Sequence, residues 1–142
     1  MMEYFAKIKK EKDGGYLAEF PALPGCLTEG RTLAEAMKNA KEALNGWLAA
    51  HCDRNLPIPT PKKRMSKSFY PIEVDVQIEF AIRLRQLRKQ RGLSQSQVAN
   101  KLGISQQAYA KLEIPGKANP SLITLQKLSD ALDAELEIRF AA

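Results

Sequence analysis

The spacing of apolar and polar positions changes character along the chain, and each change marks an element. Residues 3–9, Glu-Tyr-Phe-Ala-Lys-Ile-Lys, alternate loosely and carry β-prone side chains, which predicts a strand. Lys12-Asp13-Gly14-Gly15 is a hairpin turn signal, and Tyr16 to Phe20 returns as a second strand. Pro21-Ala22-Leu23-Pro24-Gly25 breaks it, and Cys26 to Glu29 predicts a short third strand ending at Gly30. The period then becomes helical: Leu33, Ala36, Met37, Ala40, Leu44, Trp47 and Leu48 fall on one face, to about Ala50. Thr32 is placed to cap that helix, with Glu35 in the reciprocal position of a capping box. Such an apolar stripe needs a sheet to cover, and the hairpin before it supplies one.

Residues 53–67 hold Pro57, Pro59 and Pro61 followed by Lys62-Lys63-Arg64, and predict an extended connection rather than an element. Phe69 to Val76 is β-like again, with Pro71 confining it to an edge or a bulge of the first sheet. The order is then β-β-β-α-β, ending near Asp75. From Val76 the pattern is helical throughout. Phe80, Leu84 and Leu87 give a first helix its apolar face, with Arg83, Arg85, Arg88 and Lys89 over the rest and Gly92 at its end. Two short helices follow around Gly103. The first has Val98, Ala99 and Leu102 inward; the second has Ile104 at its mouth and Ala108, Tyr109 and Leu112 inward. Ser94 and Ser105 stand where N-caps are wanted, and Gly103 can take the positive φ of a tight corner. Asn119-Pro120 reads as a cap and first helical residue, opening a packing helix through Leu122, Leu125, Leu128 and Leu132. The tail, Glu135 to Phe140, alternates strictly and predicts a terminal strand with Leu136, Ile138 and Phe140 on one side. Its partner is either its own domain or the same strand of a second chain, which would make a two-fold dimer.

The fold class that follows is α+β, as two domains: an α/β unit over residues 1–75, then an all-α unit over 76–142 with a C-terminal strand. A length of 142 residues with 44% hydrophobic content accommodates a core in each. No apolar run approaches membrane-spanning length, and the N-terminus lacks a signal peptide's apolar stretch, so a cytoplasmic location is expected. The two cysteines, Cys26 and Cys52, and the one histidine, His51, match no familiar zinc spacing, so reduced thiols and no metal are expected.

Charge separates the halves more sharply than composition does. Residues 1–60 carry eight basic and eight acidic residues; residues 61–142 carry fourteen and eight, the whole of the +6 net charge. Between Arg83 and Lys117 there are eight basic residues and one acid, Glu113. A positive surface of that kind suits phosphate. It coincides with the paired helices around Gly103, whose spacing is that of a helix-turn-helix. Gln106 and Gln107 open the second helix, with Lys111 on the same exposed side, as candidate base readers. Gln95 is placed to brace Gln106 and touch the DNA backbone, with Arg88, Lys117 and Asn119 as further backbone contacts. The stretch resembles the helix-turn-helix of lambdoid phage repressors and the Xre family, through Leu93-Ser94-Gln95, Leu102-Gly103-Ile104-Ser105, Gln106-Gln107, Leu112-Glu113 and Asn119-Pro120-Ser121-Leu122. Ile114-Pro115-Gly116 is one residue longer than the usual turn there.

The first half resembles the HicB antitoxin family over residues 2–75. The resemblance rests on Gly14-Gly15-Tyr16, Glu19-Phe20-Pro21, Leu23-Pro24-Gly25-Cys26, Thr28-Glu29-Gly30, Thr32 to Ala36, Asn39-Ala40, Glu42-Ala43-Leu44 and the Pro57/Pro59 run. It implies a degenerate ribonuclease-H-like domain that blocks a HicA-type toxin, an mRNA-cleaving ribonuclease. It also implies a fused DNA-binding domain that represses the toxin–antitoxin operon, with operator double-stranded DNA and a second copy of the chain as further partners. Glu19 and Glu29 are candidate toxin contacts, since an RNA-cleaving partner exposes a basic surface. Ribonuclease chemistry in this chain itself would need clustered carboxylates around two metal ions. Asp13 lies in a turn and Glu35 caps a helix, so no catalytic residues and no cofactor are expected. A stand-alone repressor with a ligand-sensing N-terminal domain is the other reading that composition allows.

Overall fold

In a computed structural model, residues 1–141 are described; Ala142, the last residue of the predicted tail, lies outside the described residues. The fold is α+β, an N-terminal sheet followed by helices. The chain divides into two compact units, Met1–Glu79 and the residues from Phe80 onward.

The first unit is built on β1 (Glu3–Lys10), β2 (Tyr16–Glu19), β3 (Leu27–Gly30), α1 (Leu33–Asp53) and β4 (Phe69–Glu73), in that order. The strands form one antiparallel sheet in the order β3-β2-β1-β4. Alternation decides which face is covered. Tyr4, Ala6, Ile8 and Ala18 are buried on the side of α1, whose Ala36, Ala40, Leu44, Leu48 and Cys52 are buried in return. Thr32 caps α1 as its sequence implies, its Oγ1 accepting from Glu35 N at 3.0 Å, while the Glu35 carboxylate lies 3.5 Å from Arg31. The helix runs three residues beyond Ala50, and a polar residue the pattern did not mark joins its buried face. Asn45 accepts from Asp75 N at 2.7 Å and donates to the Lys41 carbonyl at 2.9 Å and the Glu73 carbonyl at 3.3 Å. It thereby ties the end of β4 to the helix.

Pro71 sits on an edge strand, and the register shows why it is tolerated there. Val74 N donates to Met2 O and Ile8 N to Ser68 O, so the even-numbered residues of β4 bond β1. The missing N–H of Pro71 therefore falls on the outward side, where it costs no ladder bond and blunts the edge. On the opposite edge Asn39 donates to the Glu29 carbonyl at 2.8 Å and covers part of β3.

The second unit holds most of α2 (Val76–Gln90) and then α3 (Gln95–Leu102), α4 (Gln106–Leu112) and α5 (Leu122–Ala131). Leu84, Val98, Ala99, Leu102, Tyr109, Leu128 and Leu132 form its core, with Phe80, Leu87, Leu93 and Leu112 packed against it. Three expectations change. Ala108 and Leu122 are exposed rather than packed, Leu122 at 71%. The cap of α5 is Ser121, whose Oγ accepts from Thr124 N at 3.1 Å, so the cap lies two residues beyond Asn119 and the helix starts at Leu122 rather than Pro120. Residues 135–141 form no strand, and Leu136, Ile138 and Phe140 are all exposed. A strand needs a neighbouring backbone to bond, and none of the described residues offers one to this segment.

Close approach of β3 to α1 gives a direct stability test. A Cβ on Gly30 would lie 2.4 Å from Ala36 N and 2.8 Å from its Cα, all backbone. Gly46, in the middle of α1, has nothing within 4 Å of the same position. Gly30→Ala should cost at least the roughly 1–3 kcal/mol of an overpacked core. Gly46→Ala should gain about 0.5–1 kcal/mol from helix propensity. Urea unfolding of the full chain reads both; equal midpoints for the two variants would contradict the packing described.

Candidate nucleic-acid interface

The helix-turn-helix is specified by local chemistry at each of its ends. Ser94 Oγ accepts from Gln97 N at 3.1 Å and Gln97 Oε1 accepts from Ser94 N at 2.8 Å, a complete capping box at the start of α3. Gly103 ends α3 in the left-handed region at φ 70°, which a side chain would resist. Ser105 Oγ accepts from Ala108 N at 3.1 Å and starts α4. Ala99 is buried between the helices, where a larger side chain would hold them apart. Gln106, Gln107 and Lys111, the expected base readers, are all exposed along α4. Lys117 and Asn119 are exposed in the turn before α5; Lys117 N and Ala118 N both donate to the Ile114 carbonyl at 2.9 Å, and Pro115 is buried beneath.

Arg88 requires a correction. It lies inside the unit and is not laid out for phosphate. Its Nε donates to Glu113 Oε2 at 2.6 Å, its Nη2 to Glu113 Oε1 at 2.9 Å and its Nη1 to the Leu93 carbonyl at 2.9 Å. The two side chains are 11% and 4% exposed. All three directions of the guanidinium fork are spent, which leaves little for a DNA backbone. Arg91 is drawn inward in part as well, donating to the carbonyls of Leu132 at 2.7 Å and Asp133 at 2.9 Å behind the last turn of α5. Part of the positive charge that the sequence displays is therefore structural.

The pair reaches the surface through glutamines. Gln95 Nε2 donates to Glu113 Oε1 at 3.3 Å, and Gln95 Oε1 accepts from Gln106 Nε2 at 2.8 Å. The expected bracing of Gln106 by Gln95 is present, with the buried carboxylate behind it. Glu113 is the one acid in the basic stretch from Arg83 to Lys117, but nothing in the sequence marks Arg88 as its partner among the eight cations there. Burial, the largest single influence, pushes the Glu113 carboxyl up, but the hydrogen bonds and charge of Arg88 and the other donors around it together outweigh burial and hold the group below the usual carboxylate range. Burial pushes the neighbouring Tyr109 phenol well above its ordinary value.

In the first unit, Glu19 and Glu29 occupy the sheet face opposite α1. Glu19 stands across from Lys7 on β1 and Leu27 on β3, and Glu29 across from Leu17 on β2. Phe5 and Phe69 share that face, half-buried, with Leu27 57% exposed. Cys26 and Cys52 are buried thiols outside any disulfide, and burial lifts the Cys26 thiol to about 11. His51 is half-buried and stacks on Trp47 with ring centroids 3.4 Å apart. Among the described residues no three His, Cys, Asp or Glu side chains gather as a metal site, and no helix is long and apolar enough to cross a membrane.

Comparison with known proteins gives this geometry its context. Residues 4–83 match the model of the HicB-like antitoxin of bacterial toxin–antitoxin systems. The chain belongs to the HicB-like antitoxin family. Residues 84–138 match a helix-turn-helix model, so this HicB-like antitoxin carries a DNA-binding domain behind its family domain. It is 31% identical over 111 residues to Antitoxin HicB of Escherichia coli K12, covering 78% of this chain and 80% of that one. It is 51% identical over 53 residues to the SPbeta prophage-derived uncharacterized HTH-type transcriptional regulator YonR of Bacillus subtilis, covering 37% of this chain and 48% of that one. A solved HicA3 and HicB3 toxin–antitoxin complex contains a chain 28% identical to it, covering 52% of this chain and 99% of that chain at a TM-score of 0.44.

The buried pair predicts a stability effect distinct from a DNA contact. Arg88→Ala leaves a carboxylate buried without its partner and should cost about 3–5 kcal/mol. Because the Glu113 carboxyl is lowered on folding, its contribution is present above the ordinary glutamate range and is lost as pH falls through the folded value. The helix-turn-helix should therefore weaken below roughly pH 4, and Glu113→Gln should remove that part of the acid sensitivity. Urea unfolding at neutral and acid pH tests both. An Arg88→Ala chain as stable as the parent, impaired only in DNA affinity, would restore the phosphate role.

Proposed function

We propose that the chain is the antitoxin of a type II toxin–antitoxin pair. Residues 1–75 bind and neutralise a HicA-type mRNA-cleaving toxin, and residues 76–142 bind operator DNA and repress the operon. The observation that carries this reading is the succession of the two family matches in one chain, HicB-like antitoxin then helix-turn-helix. The β-β-β-α-β order fits the cut-down ribonuclease H fold that the family resemblance implies. The role is one of binding, with no catalytic step assigned to the chain.

The toxin would meet the open face of the sheet, where Glu19 and Glu29 accompany Phe5, Leu17 and Leu27. A basic, RNA-binding partner would be drawn by the carboxylates and held by the apolar positions. On the DNA, Gln106, Gln107 and Lys111 would read bases, while Gln95, Lys117 and Asn119 would set the register on the backbone. Two copies acting as a dimer would suit a palindromic operator. The exposed Leu136, Ile138 and Phe140 are the proposed pairing segment.

Co-expression with a small basic protein encoded next to this chain tests the antitoxin role. Growth arrest by the neighbour should be relieved by this chain and much less by a Glu19→Lys/Glu29→Lys double variant. Arrest unrelieved by the parent chain would defeat the antitoxin reading and favour a ligand-sensing repressor. Equal relief by parent and double variant would move the toxin site off the open face. Removal of residues 135–142 should halve the oligomeric mass in light scattering; an unchanged mass would exclude pairing through the tail.

A further inference from the structure

The open face of the first sheet is unevenly charged along its strands. Lys7 and Lys9 stand on it two residues apart on β1, with Phe69 of β4 opposite Lys7. On the β2 side Lys7 meets Glu19, whereas Lys9 meets Leu17. At the far end of the same face Glu3 stands opposite Glu73. We propose that the basic end of this face binds single-stranded RNA, with unpaired bases stacked on Phe5 and Phe69 and phosphates held by lysines of β1 and of the connection before β4. The proposal goes beyond the toxin contact, which uses the carboxylates of β2 and β3, and shares only Phe5 with it.

An unpaired strand is held by flat groups for its bases and cations for its backbone. Phe5 and Phe69 occupy diagonal positions on β1 and β4, and both are half-buried, so each ring keeps part of its surface open. Arg64 lies over Phe69, its Cζ 5.4 Å from the ring centroid, and is itself exposed. A guanidinium held on an aromatic ring is a further flat platform for a base. The connection that carries Arg64 is basic throughout its exposed part, with Lys62, Lys63 and Lys67 also turned to solvent. Its end is pinned to the sheet beside the lysines of β1: Phe69 N donates to Ser66 O at 3.1 Å, and Ile8 N to Ser68 O at 2.9 Å. Hydrogen bonding to Lys9 and its like charge hold the Lys7 ammonium below the ordinary lysine range. Two cations that close are eased by an anion set beside them. They differ in this from Arg88, whose donors are spent on Glu113 and Leu93. Rings on a sheet face meet bases only when those bases have left a double helix, and RNA is the nucleic acid recognised through its unpaired loops and ends. Ser66 Oγ and Ser68 Oγ, 3.3 Å apart in the same connection, add hydroxyls that can pair with a ribose 2′-hydroxyl.

The test is fluorescence anisotropy of the full chain with a labelled, unstructured RNA of about twelve nucleotides, within the span such surfaces cover. Excess random duplex DNA is present to occupy the helix-turn-helix. The parent should bind the RNA saturably, and at least as tightly as single-stranded DNA of the same sequence. Phe69→Leu keeps an apolar side chain but removes the ring, and should weaken RNA binding about five-fold or more, whereas Phe69→Tyr should retain most of it. The triple variant Lys62→Ala/Lys63→Ala/Lys67→Ala changes only exposed positions, so its urea midpoint should match the parent's. It should lessen the slope of log affinity against log salt by about two, in line with three phosphate contacts on a single strand. No RNA binding by the parent overturns the proposal in favour of an acidic protein partner for these cations. Loss of the RNA to the duplex competitor, or tighter binding of single-stranded DNA, overturns it as well. So does an unchanged affinity in Phe69→Leu or an unchanged salt slope in the triple variant, and none of these outcomes bears on relief of the toxin.

Discussion

The buried contact between Arg88 and Glu113 is the constraint on which the DNA-binding unit depends. Helix α4 is seven residues long and buries one side chain, Tyr109. A helix that short has little stability of its own and takes its position from what holds its ends. At its N-terminus the hold is Gly103 and the Ser105 cap. At its C-terminus it is Glu113, the capping residue, gripped by an arginine from α2. The same carboxylate receives Gln95 from α3. Three helices therefore meet on one acid, and the exposed amides of α4 inherit their placement from it. Buried ion pairs contribute less to net stability than their Coulomb attraction suggests, because both charges must leave water. What this one supplies is position.

The first unit solves a different problem. One helix covers one face of a four-stranded sheet, and the other face stays open with apolar and charged side chains mixed on it. Its two edges are partly closed, by the outward nitrogen of Pro71 and by the amide of Asn39 on β3. A partner that added a strand would meet these obstacles, whereas one that lay across the open face would not. The neutral charge of residues 1–60 and the basic excess of the rest fit two binding surfaces for unlike partners on one chain.

Much of the fold was legible in the sequence wherever a local rule decided the outcome. Gly14-Gly15, Thr32, Ser94, Gly103 and Ser105 each specify a turn or cap from a few neighbours, and the strands and helices between them follow by period. Local rules fail where the outcome depends on distant residues. Asn119-Pro120 has the local look of a helix start, yet Ser121 is the residue that caps the helix, the chain before it being occupied with closing the turn over Ala118. The alternating tail is strand-like in pattern, but a strand is defined by a neighbour. Ala108 follows the helical period yet lies at the rim of a helix with a narrow buried stripe. Arg88 looked like one cation among eight, and only the three-dimensional position of Glu113 marks it as internal. The brace between Gln95 and Gln106 was anticipated from spacing; its connection to a buried carboxylate was not, because it runs through residues 18 apart in the chain.

The central claim is that this HicB-like chain reads its own promoter with one unit while the other holds a toxin. Fluorescence anisotropy of the promoter region upstream of the chain's own gene tests it most directly, with random DNA of equal length as reference and the purified neighbouring toxin added to the bound complex. The account predicts saturable binding at least a hundred-fold tighter than to random DNA at physiological salt, consistent with specific repressors generally. It also predicts a further anisotropy rise when toxin joins the bound complex. Equal affinity for promoter and random DNA, together with no response to toxin, would contradict it.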